Sequence, residues 1–228
     1  MDCQFSETQF AFCALNELVA KLNPARGWSM PIMPTQRAEA LSGYDCQLKG
    51  SVRTLFLQFK VPRMLLRTNA KYWSSHNQPY FQFKIWPDPP CKQHNTLVDL
   101  AKKDPRNQVF YCSPAFVELA VFNTLYIRKQ VLPNSIFVSC KSLPYTKEKE
   151  HHSVSYTLSP RLAVMHSEPV EVECLDLNRL LPLVQDGYSY GSLEECVFSL
   201  ARQLELDETA VPFQWQPDLE YGQFSDSP

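Results

Sequence analysis

Hydrophobic positions change period along this chain, and the changes sketch its elements. Over residues 6–22, SETQFAFCALNELVAKL, Phe10, Ala11, Ala14, Leu15, Leu18 and Leu22 fall on one side of a helix of about 3.6 residues per turn. Ser6 supplies an N-cap and Asn23-Pro24 a stop. Residues 24–42 lose the period around Pro24, Gly27, Pro31 and Pro34, with a short helical turn at 36–41. The period then becomes two. Residues 43–48 and 53–61 alternate about Lys49-Gly50-Ser51, the pattern of a β-hairpin, and 80–86 make a third strand. Residues 64–73 read as helix or loop.

Further along, the pattern predicts a helix at 94–103, a short buried strand at 109–112 and a long helix at 114–130, with Pro114 in its first turn. Strands follow at 135–140 and 153–158, with one or two more before 174. Helices are expected at 176–185 and 192–205, then an irregular tail at 211–228. The order helix, three strands, helix, strand defines an α/β protein.

Composition narrows this only slightly. The 228 residues are 44% hydrophobic and 20% charged, which argues for a folded domain with at most an appendage. No apolar run reaches the ~20 residues of a membrane span. The N-terminal residues lack the basic and apolar regions of a signal peptide. The eight cysteines, at 3, 13, 46, 91, 112, 140, 174 and 196, form no CxxC, and most lie in apolar runs. A reduced, cytoplasmic protein with no membrane partner is the expectation.

Charge changes the picture more. Residues 49–84 carry seven basic side chains (Lys49, Arg53, Lys60, Arg63, Arg67, Lys71 and Lys84) and no acid, whereas residues 168–228 carry two basic and thirteen acidic ones. The formal net charge of −2 therefore conceals a basic strip able to attract a polyanion. Arg53, Arg63, Arg67, Lys71 and Lys84 are its candidate nucleic-acid contacts. The acidic end offers a surface for a protein partner or a cover for the basic strip; a solvated flank is the plainer alternative. This asymmetry divides the chain into residues 1–168, an α/β domain, and 169–228, an acidic helical extension.

Candidate chemistry lies in the hairpin. Phe56, Gln58 and Lys60 share one strand face. With Gly50-Ser51 as a two-residue turn, Asp45 lies opposite Phe56 on that face, diagonal to Gln58. An aspartate, an amide oxygen and a lysine on one sheet face suit phosphodiester hydrolysis assisted by a cation that prefers oxygen ligands. Glu7 projects along the apolar side of the first helix, where a carboxylate needs a partner or a task; fraying into water in the first turn is the alternative. Glu17 lies towards the edge of that side. A second Gln-x-Lys, Gln82 and Lys84, shows how easily the pattern arises, and a polar solvent face is the alternative reading of the first. His151-His152, His76 and His94 are weaker candidates. Residues 110–116 resemble a strand-to-helix junction whose positive helix end could receive a phosphate.

Gly43-Tyr44-Asp45 and Gln58-Phe59-Lys60 resemble the D…(E/Q)xK signature of the PD-(D/E)XK, restriction-endonuclease-like superfamily, in the glutamine-containing form similar to Mrr-type enzymes. The resemblance covers roughly half the chain. It implies a central mixed sheet flanked by helices in the order αβββαβ over residues 6–112, with additional C-terminal strands and helices. It implies an Mg²⁺- or Mn²⁺-dependent endonuclease acting on DNA, in a bacterial defence or mobile-element setting. Carried over, Asp45 and Gln58 are metal ligands and Lys60 the catalytic lysine. Glu7 maps to the glutamate that members often place on the first helix, and Glu39 is an accessory acid. Tyr44 stands where many members have proline, and Gln58 is neutral, so Glu7 or Glu39 must carry more of the site's charge. An inactive nuclease fold that binds nucleic acid or protein is the competing function.

Overall fold

The computed structural model describes residues 1–22, 30–50, 52–86, 92–146, 152–166 and 169–185. Helix α1, Glu7–Lys21, begins where expected: Ser6 Oγ accepts the Gln9 N–H at 3.0 Å. Its buried face includes Phe10, Ala14, Leu15 and Leu18, and also Glu17. Helix α2, Gln36–Ser42, is capped by Thr35 and ends at Gly43, with φ +79°. A Cβ at Gly43 would lie 2.9 Å from the Gln93 carbonyl oxygen, so glycine allows α2 to end against the helix that begins there.

Strands β1, Cys46–Lys49, and β2, Thr54–Phe59, form the hairpin. Its register pairs Cys46 with Leu57 and Lys49 with Thr54, and the Asp45 N–H donates to Leu57 O at 2.9 Å. The connection is longer than the two-residue turn expected, which shifts the pairing by two. Because side chains alternate with period two, every residue keeps its face.

Strands β3, Arg63–Leu65, and β4, Tyr80–Ile85, follow, with the short helix α3, Trp73–His76, between them. Helix α4, Gln93–Lys103, then leads to β5, Asn107–Pro114, parallel to β2. The rest comprises α5, Leu119–Ile127; β6, Ser135–Ser139; β7, His152–Leu158; β8, Arg161–His166; β9, Val170–Val172; β10, Cys174–Leu175; and α6, Leu177–Gln185.

The α/β class holds, but the single central sheet gives way to two five-stranded sheets, β1-β2-β5-β6-β10 and β3-β4-β7-β8-β9. The strand at 80–85 belongs to the second, beside β3, where helix or loop was expected. Two cores follow. One face of the first sheet (Leu55, Leu57, Phe59, Phe110, Phe137) packs with α1, Phe122 of α5 and Leu180 of α6. Its other face (Phe56, Val109, Tyr111, Val138) meets Leu97 and Val98 of α4 and the second sheet's Phe83, Val154, Tyr156 and Met165. Both faces of β2 are therefore covered, so the polar solvent face held as the alternative reading of this strand does not form. Each large side chain in these layers contributes ~1.5–3 kcal/mol of burial.

The long helix expected at 114–130 is shorter. Strand β5 runs on to Pro114, whose Cα partner is Ser135, while its pairing with β2 stops at Cys112. With β2 no longer beside it on that edge, proline's missing N–H costs no ladder bond there. Phe116 and Val117 enter the core, and Gln4 Oε1 accepts the Leu119 N–H at 3.0 Å where α5 starts. The strand-to-helix phosphate site considered at 110–116 is thus continuous strand for most of its length.

The boundary placed after residue 168 falls between β8 and β9, which pair, while β10 joins the first sheet. Residues 186–228, with the helix expected at 192–205 and most of the acidic extension, lie outside the described residues. Among the described residues no helix is long and apolar enough to cross a membrane.

Candidate functional site

Register decides what the hairpin displays. Continued by one residue, the β1–β2 pairing sets Asp45 directly opposite Gln58, closer than the diagonal expected. Gln58 Nε2 donates to Asp45 Oδ2 at 2.8 Å, and the Phe59 N–H donates to the same oxygen at 2.7 Å. Asp45 Oδ1 takes neither bond. Burial of the carboxyl outweighs the Phe59 bond and the nearby Lys60 charge and raises the Asp45 pKa to about 7, with Glu7 and Glu39 adding to the rise.

Gln58 is buried, with 1% of its surface exposed, beneath the start of α4. Its Oε1 accepts from Gln93 Nε2 at 3.0 Å. The ligand role expected of Gln58 requires that oxygen, which is turned from Asp45 towards Gln93. Gln93 is the residue that hairpin arithmetic could not find, because it arrives from a helix 35 residues away.

Just past β2, the Lys60 N–H bonds Cys112 O at 2.9 Å, which fixes the backbone from which its side chain leaves. Lys60 Nζ lies 3.7 Å from Glu7 Oε1. Burial raises the Glu7 pKa against the opposing pull of Lys60. The carboxylate on the apolar side of α1 therefore has its partner. Glu17 is the more buried acid, and its two oxygens accept the Val131 and Leu132 N–H groups at 2.9 and 3.0 Å. That is a structural clamp on the turn after α5. Glu39 is half-buried on α2, close enough to influence both Asp45 and Glu7 electrostatically.

Glu7 and Lys60 open into a cleft of about 490 Å³ walled also by Arg63, Gln82, Lys84 and Trp86. Of the expected nucleic-acid contacts, Arg63 and Lys84 line this cleft, and with Lys71 they line an adjoining pocket of about 310 Å³. Arg67 sits in the exposed turn after β3, outside both walls. Arg53 is at the hairpin's other end, where its Nη1 donates to Leu183 O of α6 at 2.5 Å, a structural tie.

The histidines are mostly structural. His94 is buried, bonds Tyr111 Oη and Pro144 O, and is depressed by burial to about 4. His76 and His166 meet across the Ser155 hydroxyl at 2.7 and 2.6 Å. His152 is the exception: it is buried, lines the smaller pocket, and neither ring nitrogen has a hydrogen-bond partner among the described residues, while His151 lies outside them.

The donor set can be weighed against a divalent cation. Asp45 and Glu7 supply hard carboxylate oxygens, and Mg²⁺ is commonly bound by one or two carboxylates plus waters and substrate phosphate. Among the described residues no three His, Cys, Asp or Glu side chains gather closely enough to hold a metal themselves. Two carboxylates are too few for a closed structural metal site, and any ion held by them would need substrate and water to complete its shell. Comparison with known proteins returns no match to a family model, a curated protein or a solved structure.

Proposed function

We propose that this is a nuclease-like protein of the PD-(D/E)XK, restriction-endonuclease-like group that acts on DNA phosphodiester bonds with Mg²⁺ or Mn²⁺. The observation that carries the reading is the meeting of Asp45 and Gln58 within electrostatic reach of Lys60, which stands on Glu7 in a cleft shared with Arg63, Lys84 and Asp2. Asp45 and Glu7 would hold the ion, which when bound would neutralise charge growing on phosphate and ease deprotonation of water. Gln58 holds the Asp45 carboxylate by one oxygen and leaves the other open, while Gln93 holds Gln58. Lys60 would orient an attacking water or stabilise the phosphate's developing charge.

Nicking of negatively supercoiled plasmid, whose underwinding opens short unpaired stretches, tests this directly with the full chain. Mg²⁺- or Mn²⁺-dependent nicking is expected, lost by at least about a hundredfold in Lys60→Ala. Cleavage that survives this change overturns the assignment.

One observation favours a second reading. Gln58 is neutral and its oxygen is engaged by Gln93, so the site is short of negative charge for a cation. An inactive nuclease fold used as a nucleic-acid-binding accessory would give no nicking, with DNA binding that persists in EDTA and weakens steeply with salt.

A further inference from the structure

The second sheet holds a site that the hairpin chemistry does not use. On β4, Tyr80, Gln82 and Lys84 share one face, with Trp86 next in the same alternation. Opposite them on β3 are Arg63, paired with Gln82, and Leu65, paired with Tyr80; on β7, Ser153 pairs with Lys84. The segment before α3 closes one side with Lys71 and Tyr72, completing the pocket of about 310 Å³.

Arg63 is set in advance. Gln82 Oε1 accepts from its Nε at 3.0 Å and its Nη2 at 2.7 Å, while Gln82 Nε2 donates to Ser153 Oγ at 2.7 Å. A neutral amide therefore orients the guanidinium without cancelling its charge. Lys84 is diagonal to Arg63 on the same face, where side chains come within ~7–8 Å. Lys71 Nζ lies 5.1 Å from the Tyr72 ring centroid, and that ring is stacked on His166 at 3.4 Å. Among the described residues no carboxylate forms an ion pair with Arg63, Lys71 or Lys84. Three cations around one small pocket repel one another unless an anion joins them. Trp86 is 57% exposed and has no ring contact among the described residues, which leaves an indole face beside those charges.

Cations with a bare aromatic face match a phosphate with a base attached, and the pocket volume is near the lower end of the ~300–1,000 Å³ typical of small-ligand sites. Arg63, Gln82, Lys84 and Trp86 wall both this pocket and the cleft of Lys60 and Glu7, so the two adjoin along these side chains. A base inside a duplex is stacked on both sides and cannot offer its face to Trp86, and only the two end pairs of a blunt duplex leave a face open. We propose that this pocket binds one unpaired nucleotide, its phosphate on Arg63, Lys71 and Lys84 and its base on Trp86, so that the DNA engaged is single-stranded. The proposal rests on the nuclease-like reading for its choice of DNA, but its test does not require cleavage.

Fluorescence anisotropy in EDTA compares a labelled single-stranded DNA oligomer with the blunt duplex of the same sequence, using the full chain. At least tenfold tighter binding of the single strand is expected. Arg63→Ala and Trp86→Ala should each weaken it about tenfold, in keeping with a stacked base and an anchored phosphate. Arg63→Lys should recover only part, because an ammonium lacks the fork that Gln82 orients. Unchanged melting temperatures certify the fold of each variant, since both side chains are on the surface. Equal affinity for the two DNAs, or indifference to both alanine changes, overturns the pocket. Nicking without a single-strand preference would remove this proposal alone, and the preference without nicking would remove the catalytic reading alone.

Discussion

The same tripeptide pattern, Gln-Phe-Lys, occurs on both sheets and comes to opposite ends. At 58–60 the glutamine faces Asp45, and the lysine stands 3.7 Å from Glu7. At 82–84 the glutamine faces Arg63, and the lysine has no carboxylate partner among the described residues. One carboxamide serves as donor to an anion and the other as acceptor from a cation, because the residue across the ladder differs. A short motif thus has no fixed chemistry; its cross-strand neighbour supplies the sign. The first copy becomes a candidate for bond breaking and the second for holding an anion.

The largest way to separate them is activity. Lys60→Ala should remove metal-dependent nicking by about a hundredfold or more, while Lys84→Ala should lower it less than about tenfold at saturating DNA. Equal losses would mean that both lysines serve one role and would erase the contrast.

Next in size is the pH dependence of stability in metal-free buffer. The folded Asp45 pKa of about 7 lies above its ordinary 3.8, so between those values the native state holds a proton that the unfolded chain has released. Its contribution falls as pH rises through that window. His94 and His166 are depressed from 6.5 to about 4, so there the unfolded chain binds more protons and their contribution rises with pH. The two effects oppose one another between about pH 4 and 6.5. Asp45→Asn should therefore steepen the rise of stability with pH by up to one proton, about 1.4 kcal/mol per pH unit. Urea melts across that range measure it, and an unchanged slope would show that Asp45 titrates normally.

Local period made much of this legible. The face of α1, the hairpin and the strand at 80–85 all follow from it, and the two-residue error in register did no harm because alternation restores the face. Sheet membership was not legible. Nothing local to Tyr80–Ile85 says that it pairs with β3 and β7 instead of β2. Pro114 misled because proline suits a helix's first turn, and only the end of β2 at Phe59 explains why a strand tolerates it. The meeting of Asp45 and Gln58 was legible because both lie on one face of the hairpin, and Glu7 stood out on the apolar side of its helix, although its pairing with Lys60 was not foreseen. Gln93 and Trp86 were missed because their importance comes from what the fold carries to them.

A smaller effect concerns the two buried carboxamides. Gln82→Leu leaves Arg63 able to turn to water but strands the Ser153 hydroxyl, a loss of about 1 kcal/mol. Gln58→Leu leaves Asp45 with only the Phe59 N–H and Gln93 without its acceptor, and about 2 kcal/mol is expected. Chemical denaturation should rank Gln58→Leu as the more damaging; the reverse order would place the tighter network on the second sheet.

The smallest effect is on salt dependence, and it tests the difference between a paired and an unpaired lysine. For single-stranded DNA each neutralised phosphate adds about −0.7 to the slope of log K against log salt. Lys84 and Arg63 have no carboxylate partner among the described residues, so either alanine change should flatten the slope by about that amount. Lys60 already stands against Glu7, and the near-neutral pair attracts few counterions, so Lys60→Ala should change the slope by less than half as much. Anisotropy titrations in EDTA from about 50 to 200 mM salt resolve such differences. If Lys60→Ala flattens the slope as much as Lys84→Ala, Glu7 does not neutralise Lys60 in solution, and the ion pair that distinguishes the first Gln-Phe-Lys from the second has no electrostatic consequence.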